Sequence, residues 1–258
     1  MATVPMARPA GSLKETLQAL ALRYPEPVRK AQLADVDRIA FHIALAQELA
    51  EVDRPVVADI GGGIGLFSIG CAALGMDVTL VDDFSDEVNR LHSRSSALAL
   101  HDEVGVTVQS CDVMKDFSLP HNQFDVIASF DCMEHLHNSP KKLFHGLIDS
   151  LRAGGWFILG VPNCVNLRKR ITVPLGKGKW TRMESWYEVD VFRGHVREPD
   201  VDDLRYIARD LGLKEVKVMG RNWLGYARRG MRAVMPAIDL ALRPFPSLCA
   251  NIYLIGRK

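Results

Sequence analysis

From Pro55 onward, apolar and polar positions along the chain alternate between two patterns. Short apolar runs bounded by turn residues predict strands at 56–60, 77–81, 106–110, 124–129 and 156–161. Apolar positions at helical spacing between them predict helices near 65–74, from 86 to about 101, and over 139–151. Arg152-Ala153-Gly154-Gly155 reads as a turn ahead of the fifth strand. Further on, 202–211 reads as a helix ended by Gly212, and 215–218 and 250–255 read as strands six and seven. Strand–helix alternation of this kind predicts an α/β protein with a doubly wound, mostly parallel sheet.

Before Pro55 the pattern is helical only. Ser12 followed by Glu15 forms a capping-box signature, with Leu13, Leu17 and Leu20 at helical spacing. A second helix is predicted over 32–51, with Val36, Ile39, Ile43, Leu45 and Leu49 inward. The expected organisation is an N-terminal helical extension over 1–54 and one domain over 55–258, with insertions near 163–198 and 221–249. The first insertion carries Trp180 and Trp186. The second carries an amphipathic stretch over 228–242 and a Pro244-Phe245-Pro246 stop.

Composition narrows the class. Of 258 residues, 48% are hydrophobic and 24% charged, which excludes a globally disordered chain. The net charge of +1 conceals an asymmetry. Residues 1–165 carry 13 basic and 21 acidic side chains, residues 166–182 carry six basic and none acidic, and residues 214–258 carry nine basic and two acidic. A basic rear half suits an anionic acceptor or a membrane surface, and equally a solvated face. Cys71, Cys111, Cys132, Cys164 and Cys249 are scattered without a C-x-x-C pair, so neither a zinc site nor a disulfide framework is indicated. No signal-peptide core opens the chain, and no apolar run reaches the ~18 residues of a spanning helix. The expected location is the cytoplasm.

The stretch VADIGGGIG, residues 57–65, is the strongest chemical signal. A dinucleotide fingerprint needs G-x-G-x-x-G, but counting from Gly61 the sixth position is Leu66. A P-loop needs G-K-[ST], which is absent. Asp59 stands where strand one meets the loop, where a carboxylate repels pyrophosphate and attracts an ammonium group. Strand two ends in Asp82-Asp83, placing an acid where ribose hydroxyls are bound, and strand three ends in Ser110-Cys111-Asp112, placing an acid for an adenine amino group. Each of these aspartates also suits a plain helix cap.

Taken together, VVADIGGGIGLFSIGCAALG, VTLVDDF, VQSCDVMKDFSLP, FDVIASFDCMEHLHNSP and LIDSLRAGGWFILGVPN resemble the class I S-adenosylmethionine-dependent methyltransferases. The resemblance covers about residues 56–163 and implies a seven-stranded Rossmann-like sheet whose last strand is antiparallel. It implies S-adenosylmethionine as cofactor, with Gly61, Gly63 and Gly65 lining its methionine portion, Asp82 on ribose and Asp112 near adenine. Gly62 stands where relatives often carry Cys or Ser, a departure that binding should tolerate. Asp59 and Asp131 complete the expected cofactor-binding set.

The methyl acceptor is read from the residues after strand four. Asp131, Glu134 and His135 form D-x-x-E-H, similar to the E-x-x-E-H run of ubiquinone-biosynthesis O-methyltransferases, where the trio can hold a divalent metal. Three readings of the run stay open: a metal site, a base or substrate contact through His135, and a structural loop; no metal ligand is assigned. His137 reads as solvent-facing. His195, in the segment FRGHVREP, reads either as a base or as a helix cap, and the expected catalytic set is Glu134, His135 and His195. The segment PNCVNLRKR resembles methyltransferases of bacterial surface-polysaccharide clusters, with Arg168, Lys169 and Arg170 set to meet a diphosphate or solvent.

The leading expectation is therefore O-methylation of a sugar hydroxyl on a nucleotide- or lipid-linked glycan, or of a related small molecule. The alternatives are metal-assisted quinone or phenol O-methylation and a non-catalytic, cofactor-binding partner protein. Asp131-Cys132-Met133-Glu134 lacks the D/N-P-P-Y/F/W run of base-amine methyltransferases, which disfavours nucleic acid as acceptor. The basic, apolar-interleaved stretch 221–249 suits packing on its own sheet or lying on the cytoplasmic face of a membrane.

Overall fold

The computed structural model describes residues 12–26, 28–85, 93–178, 181–223 and 233–258. Its centre is a seven-stranded sheet in the order β3-β2-β1-β4-β5-β7-β6. The strands are β1 (Val56–Ile60), β2 (Asp77–Asp82), β3 (Thr107–Ser110), β4 (Phe124–Phe130), β5 (Leu151–Pro162), β6 (Lys214–Arg221) and β7 (Asn251–Arg257). β1 pairs in parallel with β2 and β4, and β2 with β3, whereas β6 and β7 are antiparallel. The expected α/β sheet with an antiparallel closing strand is therefore present. By internal contacts the chain forms two compact units: Met1–Ser129 with His145–Trp156, and Phe130–Phe144 with Phe157–Lys258.

In the first unit, the central strands are apolar almost without interruption because parallel strands are covered on both faces. Val57, Ala58 and Ile60 of β1 and Val78, Leu80 and Val81 of β2 are all buried. Helix α3 (Leu66–Ala73) follows β1 and is buried nearly all round. Helices α1 (Leu13–Leu22) and α2 (Val28–Ala50) pack on each other and on α3. Ser12 and Glu15 form the anticipated capping box. Leu17, Leu20, Val36, Ile39 and Ile43 are buried as expected, while Leu13, Leu45 and Leu49 are only half-buried. The helical extension thus shares a compact unit with the first strands. Gly70 explains the close approach of these helices: a Cβ there would lie 2.6 Å from Ile43 Cδ1 and 2.7 Å from Leu17 Cδ2.

Two sequence readings are corrected. Residues 152–155 do not form a turn before β5; they lie inside it, because the strand starts at Leu151. Arg152 reaches the buried Asp125 at 2.8 Å, and Asp125 accepts the Val56 amide at 2.8 Å, so this end of the strand is tied to β4 and β1. Gly154 adopts φ 78°, and a Cβ on Gly155 would meet the carbonyls of Arg152, Phe124 and Asp125 at 3.0–3.1 Å. These glycines bend the strand and admit its neighbours rather than ending it. The second helix begins earlier than predicted, at Val28 rather than residue 32. The insertion after β5 contains α6 (Leu167–Thr172) and α7 (Met183–Tyr187). The helix predicted from residue 86 is described only as α4 (Ser93–Glu103), and 86–92 lies outside the described residues. Helix α5 (Lys141–Ser150) leads into β5.

In the second unit, α8 (Val201–Asp210) carries a capping box between Asp200 and Asp203 and ends before Gly212, at φ 64°. Helix α9 (Met235–Leu242) is fastened by Asp239, which is 1% exposed. Asp239 accepts the Asn222 amide at 2.8 Å and pairs with Arg221 at 3.2 Å and Arg243 at 2.7 Å. Met235 and Asp239 are thus buried, whereas Leu240 is exposed. Residues 224–232 of the amphipathic stretch, and Trp180, lie outside the described residues. All five cysteines are free.

Because Gly70 has no room for a branched side chain, Gly70→Val is expected to overpack the α1–α2–α3 contact and lower stability by about 1–3 kcal/mol. The check is the midpoint of urea denaturation; an unchanged midpoint refutes the close approach.

Candidate functional site

The first cluster of predicted residues is built by the first unit. β1 delivers Asp59 and Ile60 to the loop, and Gly61 donates its amide to the Val81 carbonyl at 2.8 Å, fixing the loop to the end of β2. Gly61 and Gly63 adopt φ 73° and 56°, a region that strongly favours glycine. Asp59 is 2% exposed and lies beneath the loop. Its Oδ2 accepts a hydrogen bond from Ser68 Oγ of α3 at 2.5 Å. A Cβ on Gly62 would fall 2.1 Å from that same Oδ2, so the carboxylate fills the space a side chain at position 62 would need. Gly62 is thus coupled to the placing of Asp59. Burial pushes the Asp59 carboxyl up to about 7; the Ser68 hydrogen bond opposes this, and the nearby Asp82 charge adds to it.

Asp82 closes the loop from the other side. Its two oxygens accept the amides of Gly63 at 2.9 Å and Phe84 at 2.6 Å. β3 brings Asp112 to the neighbouring strand end, where Cys111 donates its amide to the Asp82 carbonyl at 3.2 Å. Asp112 accepts the Met114 amide at 2.9 Å and pairs with Lys115 at 2.8 Å, and Lys115 above all holds its carboxyl below the ordinary carboxylate range. Gly65 is also gripped: its carbonyl accepts the hydroxyl of the buried Tyr24 at 3.3 Å. Asp59, Gly61, Gly63, Gly65, Asp82 and Asp112 thus gather at the carboxyl ends of β1, β2 and β3. Three carboxyl groups and the glycine backbone stand together at these strand ends, and among the described residues no basic side chain of the cluster is set to meet a phosphate except Lys115, which pairs with Asp112. Ser68 and Tyr24 were not found from sequence; Ser68 lies nine residues after Asp59 on α3, and only the fold turns it back.

The second cluster belongs to the second unit. Asp131 follows β4 at φ 50°, and its amide donates to the Gly160 carbonyl at 2.9 Å. Met133–His135 form a 3-10 turn that turns the side chain of Glu134 inward, to 1% exposure. The segment carrying His195 is stitched onto this turn: the Glu134 carbonyl accepts the amides of Val196 at 2.7 Å and Arg197 at 3.3 Å. The rings of His135 and His195 stand edge to face, 4.9 Å apart. His135 Nδ1 lies 2.7 Å from the Arg193 carbonyl, and His195 Nδ1 lies 2.7 Å from Glu198 Oε1. Both partners are acceptors, so Nδ1 carries the proton in each ring and Nε2 is left with a lone pair in the neutral form. His195 Nε2 is 4.0 Å from Glu134 Oε1.

Electrostatics separates the carboxylates of this cluster. Burial, followed by the Asp131 charge, pushes Glu134 up to about 8. Glu198 is held down to about 2, first by the His195 hydrogen bond, with its ion pair to Lys169 adding to it. The Glu198 hydrogen bond is likewise the main cause that raises His195. Glu198 was missed from sequence, although it stands three residues after His195. His137 is exposed, as expected.

Other predicted residues have structural partners. Asn163 is fully buried, and its side chain joins the carbonyls of Ser247 and Cys249 to the Val165 amide. Asn166 caps α6. Arg170 bonds the carbonyls of Val165 and Ser247. Trp186 is 54% exposed.

With the geometry in place, comparison with known proteins identifies the class. A family model described as a methyltransferase domain matches residues 33–218. The chain belongs to the class I S-adenosylmethionine-dependent methyltransferases, and S-adenosylmethionine is its cofactor. No curated protein matches it. Solved structures share its fold at low identity. A methyltransferase from Mesorhizobium loti is 17% identical with a TM-score of 0.56, over 87% of this chain and 98% of that one. Magnesium protoporphyrin IX methyltransferase from Synechocystis, solved with S-adenosylhomocysteine, is 14% identical with a TM-score of 0.56, over 91% and 88%. Phosphoethanolamine N-methyltransferase 2 of Haemonchus contortus, solved with S-adenosylmethionine, is 18% identical with a TM-score of 0.53 over 84% of this chain, which spans 52% of its length.

The raised Asp59 pKa has a stability consequence. The unfolded chain releases this proton near 3.8 and the folded chain only near 7, so stability falls as pH rises from about 4 to about 7 and levels off above. Asp59→Asn is expected to flatten that part of the profile, read from urea midpoints across the range. An unaltered slope refutes the buried, protonated carboxyl.

Proposed function

We propose that this methyltransferase acts on a hydroxyl, most specifically a sugar hydroxyl of a nucleotide- or lipid-linked glycan or a related small molecule. The observation that carries the reading is the oriented imidazole of His195. An alcohol is a poor nucleophile until its proton has somewhere to go, and a base whose far nitrogen is fixed by a carboxylate meets that need. Glu198 fixes Nδ1 of His195 and leaves Nε2 facing Glu134. His135 is oriented in the same way by a backbone carbonyl.

In this mechanism the glycine loop and Asp82 hold the methionine and ribose portions, Asp112 serves the adenine, and the Asp59 charge beneath the loop favours the ammonium. Asp131 assists from the loop after β4. The cofactor's sulfonium supplies the activated methyl group. The protein's own work is to align the acceptor oxygen and to receive its proton at His195 Nε2, with His135 and Glu134 lining the acceptor. Arg168 is exposed on α6 and supports a contact with the acceptor's diphosphate; Lys169 and Arg170 are already engaged by Glu198 and by backbone carbonyls. Nucleotide-linked sugars and the exposed headgroups of lipid-linked ones are found in the cytoplasm and at the inner membrane face, which is where we place the enzyme. Among the described residues no helix is long and apolar enough to cross a membrane.

Calorimetric titration with S-adenosylhomocysteine tests the cofactor half. Asp82→Ala should weaken binding at least about tenfold, equivalent to ~1.4 kcal/mol. Wild-type affinity in that variant rejects the ribose role. A panel of nucleotide-linked sugars, assayed by release of S-adenosylhomocysteine, tests the acceptor half. Among active acceptors, His195→Ala and His135→Ala should each slow turnover more than they weaken cofactor binding, and turnover at the wild-type rate would remove the base. Turnover restricted to amine acceptors would overturn the hydroxyl assignment.

A further inference from the structure

Glu134 is hard to account for by proton transfer alone. Its side chain is 1% exposed, and neither carboxylate oxygen has a hydrogen-bond partner among the described residues. Leaving a buried carboxylate without hydrogen bonds costs several kcal/mol unless something compensates it. Two imidazoles stand in the same cluster, and His195 Nε2 lies 4.0 Å from Glu134 Oε1. One oxygen of Glu134, one nitrogen of His135 and one nitrogen of His195 all lie within 4.8 Å of one another. Each ring is already turned for ligation, because Nδ1 is tied to an acceptor, the Arg193 carbonyl for His135 and Glu198 for His195. That outer hydrogen bond is what fixes the tautomer of metal-binding histidines. Glu198 is in turn held by Lys169, so the support extends one layer further.

We infer that Glu134, His135 and His195 form a binding site for a divalent transition-metal ion. Two neutral imidazoles and one carboxylate suit zinc, cobalt, iron or manganese, whereas magnesium and calcium take all-oxygen sets. The ligand set differs from the D-x-x-E-H run of the sequence: Asp131 is not one of the three, and His195 comes from sixty residues beyond His135. Around an ion with bonds of about 2.1 Å, ligand atoms lie about 3.4 Å apart in a tetrahedron, so the site must contract slightly on binding. His195, at 39% side-chain exposure on the segment before α8, is the most exposed of the three. Three protein ligands leave open positions, and an acceptor hydroxyl occupying one would lose its proton more readily. The ion and the acceptor's proton compete for the same His195 Nε2 lone pair, so His195 serves as the base proposed above only in the ion-free site; with the ion bound, the acceptor's proton passes to solvent.

Metal binding can be measured without any acceptor, so this inference does not depend on the proposed reaction. The test uses the untagged full chain, stripped with a chelator and titrated with Zn2+ by calorimetry and with Co2+ by visible absorption. The expected result is one ion per chain at micromolar affinity or tighter, with a cobalt spectrum of low coordination number. His195→Ala and Glu134→Gln should each weaken Zn2+ binding by at least about a hundredfold, beyond the usual ten- to hundredfold effect of outer-shell losses. Both variants should keep wild-type affinity for S-adenosylhomocysteine, which shows that they fold. Failure of the wild-type chain to bind either ion, or undiminished binding in both variants, overturns the site.

Discussion

The Asp59–Ser68 hydrogen bond is the contact on which the glycine loop depends. It places a carboxylate under the glycine turn and joins the last part of β1 to the first turn of α3. Everything around it follows from the space and charge it occupies. Position 62 has to lack a side chain because the carboxylate stands there. Position 63 is drawn toward β2 by a second aspartate, Asp82, through its amide. Position 65 is anchored by Tyr24, which arrives from the loop between α1 and α2. The N-terminal helices therefore serve the loop as well as covering α3. Burial makes ionising Asp59 expensive.

The second unit applies a different device. Backbone hydrogen bonds from Val196 and Arg197 to the Glu134 carbonyl bring a distant segment onto the turn after β4. The result is a cluster whose members are oriented from outside: His135 by a carbonyl, His195 by Glu198, and Glu198 by Lys169. Such layered support is what a reactive centre needs, since a side chain held only by its own rotamer drifts. Lys169 belongs to the basic run that suggested a diphosphate contact, and its ion pair to Glu198 gives that run a structural share.

The order of strands and helices was legible in the chain because parallel strands buried on both faces leave an uninterrupted apolar signature. β1 and β4 were located nearly residue for residue on that basis. The glycine loop was legible because its turn takes positive φ at Gly61 and Gly63, a conformation that favours glycine. Where the sequence misled, glycine was again the cause. Gly154-Gly155 reads locally as a turn, and only the neighbouring carbonyls of Phe124 and Asp125 show why a strand needs glycine there. What the sequence could not show at Gly62 is why the position lacks a side chain: the Asp59 carboxylate occupies that space.

By itself the sequence determined the alternation of elements, the absence of phosphate-binding signatures, and the family to which the chain belongs. Each is encoded in neighbouring residues, within reach of periodicity and local charge. The tertiary structure alone decided which distant groups meet: Tyr24 with Gly65, Ser68 with Asp59, and His195 with Glu134. Those pairings depend on how the chain returns on itself, and no local pattern records that. The same return buries Glu134 without a hydrogen-bond partner among the described residues, in one cluster with the imidazoles of His135 and His195.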